Sequence, residues 1–156
     1  MAPPRKKAPP PPSITIRPLS LRDLEPVYQL GERLFRPEDY PSLYRTWDEF
    51  ELAAFFESDF DTCFVAEDDD GRVIGFTLGT VIEKRRSAWR YGWIVWLGVD
   101  PDVGRTGVAS KLLEQLTEVF EELGCRILLA DTDPDNDPAV RFFERHGFGN
   151  PRAHVY

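Results

Sequence analysis

Between Val99 and Leu116 the chain reads VDPDVGRTGVASKLLEQL: the end of a β-rich run, a short turn holding Gly104 and Gly107, then apolar residues at helical spacing. A strand that feeds a helix through so short a turn sets the helix start at the strand's end, which commits the chain to an α/β arrangement. It also aims unpaired backbone N–H groups at whatever lies over that start, where the helix dipole adds positive potential. An anion is the ligand such a turn suits. Gly104 and Gly107 let the backbone come close to it, Ala109 is small for the same reason, and Arg105 adds charge.

The rest of the chain supplies the partners of that unit. SITIRPL alternates Ile14 and Ile16 with polar neighbours, as a short half-buried strand does. Ser20 caps a helix carried by Leu21, Leu24, Val27, Leu30 and Leu34 and stopped by Pro37. After the loop RPEDYPSLY, the stretch WDEFELAAFFES predicts a second helix through Phe50, Ala53, Ala54 and Phe56. TCFVAE, RVIGFTLGTVIE and YGWIVWLGV then read as three consecutive strands, separated by the turn EDDDG and the basic bend KRRSAWR. The long helix follows from Thr106 to Leu123, with Leu112, Leu116 and Phe120 on its apolar stripe and Gly124 as its stop. RILLA is a buried strand. DNDPAVRFFERHGF is a helix with Asp137 ahead of Pro138 and with Phe142 and Phe143 turned inward, and Phe148 to Tyr156 begins a sixth strand.

With 156 residues, 42% of them hydrophobic, the chain closes one core, so residues 13–156 are expected to form a single domain. Residues 1–12, MAPPRKKAPPPP, hold six prolines and read as a disordered tail. No apolar stretch follows Arg5, Lys6 and Lys7 as a secretory signal requires, and no segment is apolar enough to span a membrane; the expectation is a soluble, cytoplasmic chain. Cys63 and Cys125 lie far apart in apolar surroundings and read as buried free thiols. The net charge is −8, and because the tail carries three cations and no acid, the folded part stands near −11. Such a surface is a poor partner for nucleic acid and draws in cationic, amine-bearing substrates.

Three phosphate-binding patterns compete for the turn. A Walker loop needs a second glycine where Ala109 stands and a lysine one place before Lys111. A dinucleotide fingerprint needs G-x-G-x-x-G after the first strand of a βαβ unit, which neither the glycine spacing nor the position allows. DTDPDND has the alternate acids of a calcium loop in Asp131, Asp133 and Asp135, but Asn136 replaces its glycine, Pro134 intrudes and Phe142 stands at the twelfth position, so no metal is expected.

The remaining phosphate-binding pattern fits. Gly107, Val108 and Ala109, after Val99, Asp100 and Pro101, match the G-x-[GA] end of the [QR]-x-x-G-x-[GA] motif, and Asn136, Ala139, Phe142, Gly147 and Phe148 match N-x-x-A-x-x-F-Y-x-x-x-G-F. In this respect the chain resembles the GCN5-related N-acetyltransferases, from Ile14 to its end. The resemblance implies a mixed central sheet in the order strand, helix, helix, three strands, helix, strand, helix, strand, splayed between the fourth and fifth strands. It also implies acetyl-CoA as co-substrate. The pantetheine arm would lie along Leu97, Gly98 and Val99, the diphosphate on Arg105, Thr106, Gly107, Val108, Ala109 and Ser110, and Asn136 would touch the arm. The activity implied is direct attack of a primary amine of a small molecule, peptide end or lysine on the thioester, with an N–H of Leu97 or Val99 facing the carbonyl oxygen. The alternative is a non-catalytic acyl-CoA-binding regulator of the same fold.

Two departures bear on the chemistry. Relatives carry a tyrosine as general acid where Phe143 stands, and a phenyl ring donates nothing, which leaves water or His146. No glutamate sits in YGWIVWLGV, where Trp93 stands instead. A branch that resembles the ribosomal-protein N-terminal acetyltransferases has its base late in the fifth strand, five residues before the motif asparagine, and Asp131 occupies that place. Glu38, Asp39 and Tyr40 in the first loop are the groups expected to meet the amine, with Trp89, Tyr91, Trp93 and Trp96 framing the same pocket; the aromatic strand is compatible with a homodimer.

Overall fold

The computed structural model describes residues 12–41, 45–104 and 106–152. Residues 1–11, 42–44, Arg105 and residues 153–156 lie outside the described residues, and with them most of the proline-rich tail, part of the loop RPEDYPSLY and the end of the expected sixth strand. Residues 148–152 carry no strand.

Five strands form one mixed sheet in sequence order: β1 (Thr15–Pro18), β2 (Cys63–Glu67), β3 (Val73–Glu83), β4 (Arg90–Val99) and β5 (Cys125–Ala130). The first four are antiparallel neighbours, and β5 joins β4 in parallel after the crossover made by α3 (Val108–Glu122). Helices α1 (Leu24–Leu34) and α2 (Glu49–Ser58) cover one face, and α3 with α4 (Asp137–Arg145) covers the other. Alternation assigns the strand residues to the two faces: Cys63 and Val65 pack under α1 and α2, Phe64 and Ala66 under α3. Cys63 and Cys125 are free and buried.

One irregularity shapes everything downstream. Leu78 pairs with Trp96 and Gly79 with Ile94, so Val95 is an extra residue in β4. A bulge places its two residues toward one side and sharpens the local twist. Val95 and Trp96 accordingly both enter the core under α1 and α2, and Trp93 packs there too. Strict alternation would send Trp93 and Trp96 to opposite faces; the bulge puts them on one. It also falls where β4 leaves β5, whose pairing runs from Arg90 to Ile94 and stops, while β4 continues to Val99. The expected splay is therefore present, with a local cause.

On the other face α3 lies close because glycines lie beneath it. A methyl group at Gly79 would stand 2.8 Å from Phe120 Cζ, and one at Gly92 would stand 2.5 Å from Phe120 Cγ.

The stripe expected on the second helix is corrected. Leu52 and Phe55 are its buried residues, whereas Phe50 is 76% exposed and Ala53 and Ala54 face outward. The segment is apolar almost all round, so its period could not select a face. The phase is set by Asp48, whose carboxylate accepts the Glu51 N–H at 2.8 Å, and by Trp47, which fills the core beside the helix start.

Candidate functional site

At the end of β4 the Asp100 N–H donates to the Ile74 carbonyl at 2.8 Å. The two-residue alternation of an antiparallel ladder then turns the N–H and C=O of Gly98 toward β3, and those of Leu97 and Val99 to the opposite edge, where β5 has ended. Leu97 and Val99 thus present strand-type donors and acceptors to the gap. Gly98 holds the other face: a Cβ there would stand 2.7 Å from Leu34 Cδ1.

Beyond Val99 a short 3₁₀ turn, Pro101–Val103, is closed by Asp100, whose carboxylate accepts the Asp102 N–H. Asp100 also accepts from Arg33 at 3.0 Å. Burial pulls its carboxyl upward, but these bonds outweigh it and hold the group below the usual range. Gly104 and Gly107 both have positive φ, 71° and 77°, with open space where a side chain would stand.

Gly107 is the N-cap of α3 and brings no side-chain cap. The first helical bond runs from the Lys111 N–H to the Gly107 carbonyl at 3.0 Å, so the amides of Gly107, Val108, Ala109 and Ser110 lie ahead of it. The Thr106 hydroxyl oxygen beside them is buried and has no hydrogen-bond partner among the described residues. Native structures seldom leave such a group unmatched. Several donors and one orphaned hydroxyl at a helix N-terminus fit a phosphate group. Among the residues expected to hold it, the structure brings Thr106, Gly107, Val108, Ala109 and Ser110 into one turn next to Leu97 and Val99, and Arg105 falls outside the description.

Asn136 is the N-cap of α4, its side-chain oxygen accepting the Ala139 N–H at 3.3 Å. Phe143 stacks edge-on between Phe142 and Phe148, with centroids 5.3 Å and 5.2 Å away, and serves packing. His146 has both ring nitrogens engaged: Nδ1 lies 2.7 Å from the Phe142 carbonyl and Nε2 3.0 Å from the Ser110 hydroxyl. That puts it at the start of α3, at the far end of the gap from the point where β4 and β5 part.

Asp131 follows β5 directly. Its Oδ2 accepts from the Trp93 indole at 3.0 Å and from Arg45 at 3.3 Å. The Arg45 guanidinium lies over Trp96, 4.9 Å from the ring centroid, and over Trp93 at 5.8 Å. The bulge makes this possible by placing both indoles on one face. Arg45 lies 86 residues from Asp131 and carries no local signal in the sequence that would have found it.

A cavity of about 680 Å³ opens on the same side, lined by Glu32, Phe35, Arg36, Glu38, Tyr40 and Arg45 among others. Glu38 and Tyr40 are among the residues that line it, Asp39 is not, and the lining Glu32 and Arg36 were not foreseen. The four aromatic residues expected to frame the pocket are not among its lining residues: Trp89 is 48% exposed, Tyr91 carries Lys84 over its ring, and Trp93 and Trp96 lie beneath the Arg45 guanidinium. Asp133 is buried with its carboxylate turned back onto the Asp135 N–H, a local turn. Among the described residues no group of acids, histidines or cysteines is placed to hold a metal, and no helix is long and apolar enough to cross a membrane.

A splayed sheet with a donor-rich turn at the head of its crossover helix is the arrangement of an acetyltransferase, and comparison with known proteins agrees. The chain belongs to the acetyltransferase (GNAT) family, whose model matches residues 24–148. It is 28% identical over 134 residues to an uncharacterized N-acetyltransferase of Methanocaldococcus jannaschii, covering 85% of this chain and 76% of that protein. Among solved structures it is similar in fold to a chain of the NatC complex bound to Gag peptide and CoA, with a TM-score of 0.76, 19% identity and coverage of 89% of this chain and 86% of that one. It is likewise similar to an aminoglycoside N-acetyltransferase in complex with CoA, with a TM-score of 0.74, 20% identity and coverage of 96% and 97%.

Proposed function

We propose that the protein transfers an acetyl group from acetyl-CoA to a primary amine within a ternary complex. The observation that carries this reading is the pairing of two features at one place: an uncapped α3 start with an orphaned Thr106 hydroxyl, and a β4 edge left open beyond Ile94. A diphosphate needs the first and an extended amide-bearing arm needs the second. The solved structures with CoA bound share the fold.

In this reading the amides from Gly107 to Ser110, with Thr106 and Arg105, hold the diphosphate. Leu97 and Val99 hydrogen-bond the arm as an added strand does, and the donor groups of the Asn136 side chain reach it from the other side of the gap. Acetyl-CoA, when bound, supplies the acetyl group as a thioester. The Leu97 or Val99 N–H stands ready as donor to its carbonyl oxygen. The amine enters from the cavity bordered by Glu38 and Tyr40, and Asp131 takes up its proton through a water. Phe143 contributes no proton, so the leaving sulfur is protonated by solvent.

Asp131 is the residue on which the enzymatic reading turns. A mass-resolved acetylation screen of small amines, peptide N-termini and lysine-bearing proteins should find an acceptor, and Asp131→Asn should lower kcat/KM for it by about 10²-fold while leaving CoA affinity intact. Phe143, in place of the acid tyrosine, supports the second reading, an acyl-CoA-responsive regulator. CoA binding without turnover on any amine, unchanged in Asp131→Asn, decides for that one.

A further inference from the structure

Resting on the reading of the α3 turn as a diphosphate site, we infer that His146 is a positioning residue for that site, working through the Ser110 hydroxyl, and that the imidazole takes up a proton when the diphosphate binds.

One partner of the ring is the carbonyl of Phe142. It can only accept, so His146 Nδ1, 2.7 Å away, carries a hydrogen in every state of the ring. In the neutral ring Nε2 is then bare, and the Ser110 hydroxyl 3.0 Å away must donate to it. That consumes the Ser110 proton and leaves oxygen lone pairs facing an incoming anion. In the imidazolium Nε2 carries a hydrogen and donates to Ser110 Oγ, which frees the Ser110 O–H to donate to a phosphate oxygen. Ser110 sits in the first turn of α3 together with the amides ahead of the first helical bond. The two protonation states of one ring therefore present opposite faces of one hydroxyl to the same place. An anion there binds the protonated state more tightly, and by linkage draws a proton in.

The surroundings leave this exchange to the ring itself. From α4 the nearby charges are Arg141, Glu144 and Arg145, and from α3 Lys111 and Glu114; all five are exposed, and among the described residues none forms an ion pair with His146. The ring is partly buried against Phe142, at a centroid distance of 4.4 Å, which fixes its plane.

The test is calorimetry with CoA, and with 3′-dephospho-CoA, which lacks the phosphomonoester that itself titrates near pH 6. It is run from pH 5.5 to 8, where imidazoles change charge, in buffers of different ionisation heat so that proton uptake is read directly. For wild-type protein the expected results are tighter binding of both ligands at the acid end and net proton uptake near neutrality. Ser110→Ala should weaken binding about 10-fold and abolish the extra uptake. His146→Gln places a permanent N–H donor where Nε2 stood, so it should keep affinity at pH 8 and show a flat profile with dephospho-CoA. His146→Phe should weaken binding at every pH, and the loss should vanish in the Ser110→Ala background. If CoA binds and His146→Gln and His146→Phe both keep the wild-type affinity, pH slope and proton uptake, the inference is wrong and the diphosphate reading survives. If wild-type protein binds neither ligand, the diphosphate reading has failed and takes the inference with it.

Discussion

Arg17 ties the first strand to the first helix through two carboxylates. It donates to both oxygens of Asp23, at 2.7 Å and 2.8 Å, and to Glu67 at 2.8 Å. Asp23 is 2% exposed and also accepts the Ser20 N–H. Burial alone would push its carboxyl upward, but the bonds from Arg17 and Ser20 outweigh burial and hold it at about 2, against an ordinary 3.8. A folded value below the unfolded one means stability that is fully present above pH 4 and drains away as pH falls toward 2. Asp23→Asn should therefore cost about 3 kcal/mol at pH 7, and the gap to wild type should narrow between pH 4 and pH 2. Urea titrations at several pH values measure it; a gap that stays constant with pH would contradict the assignment. None of this network announces itself in the sequence beyond the Ser20 cap, because its partners lie up to 50 residues apart. The Arg45–Asp131 and Ser110–His146 contacts are hidden from sequence reading for the same reason.

At the scale of elements, order and type were legible because period and punctuation agreed: Pro37 ends one helix, Gly124 another, and EDDDG turns one strand into the next. Two things were not. The apolar sequence of α2 holds no preferred face, so its phase came from the Asp48 cap. The Val95 bulge left no mark in YGWIVWLGV, since an extra residue between apolar neighbours looks like another strand residue. That single residue decides which indoles meet Arg45. The approach of α3 to the sheet, by contrast, follows from glycines that can be tested one at a time. Gly92→Ala sets a methyl 2.5 Å from Phe120 Cγ, in a ring with no exposed surface. It should destabilise the fold by about 2 kcal/mol, seen as a lower urea midpoint at unchanged slope. A stability equal to wild type would mean that α3 sits farther from the sheet.

For the whole molecule the dominant physical fact is charge. With the tail set aside the chain stands near −11, yet on the proposed function the turn ahead of α3 holds an anion. On that function local donors would overcome a repulsive global field for the co-substrate, while the same field would draw a cationic acceptor toward the cavity. On the proposed function, raising salt from about 20 mM to about 500 mM should raise KM several-fold for acceptors with more than one positive charge and much less for a monoamine. Initial rates across a salt series check this, and equal shifts for the two kinds of acceptor would remove electrostatics from the account. The family was legible from two short motifs because each serves backbone geometry, a turn that must stay open and a helix start that must be capped. The acceptor was not, because on the proposed function it would depend on side chains from the loop after α1, the face of β4 and the segment after β5, which only folding assembles.

The most direct measurement is a crystal structure of the protein with CoA. The account predicts diphosphate oxygens within hydrogen-bond distance of the Gly107 to Ser110 amides, and the pantetheine arm paired to Leu97 and Val99 in the opening beside β4. Diphosphate density anywhere else, or an arm that leaves that opening empty, would contradict it.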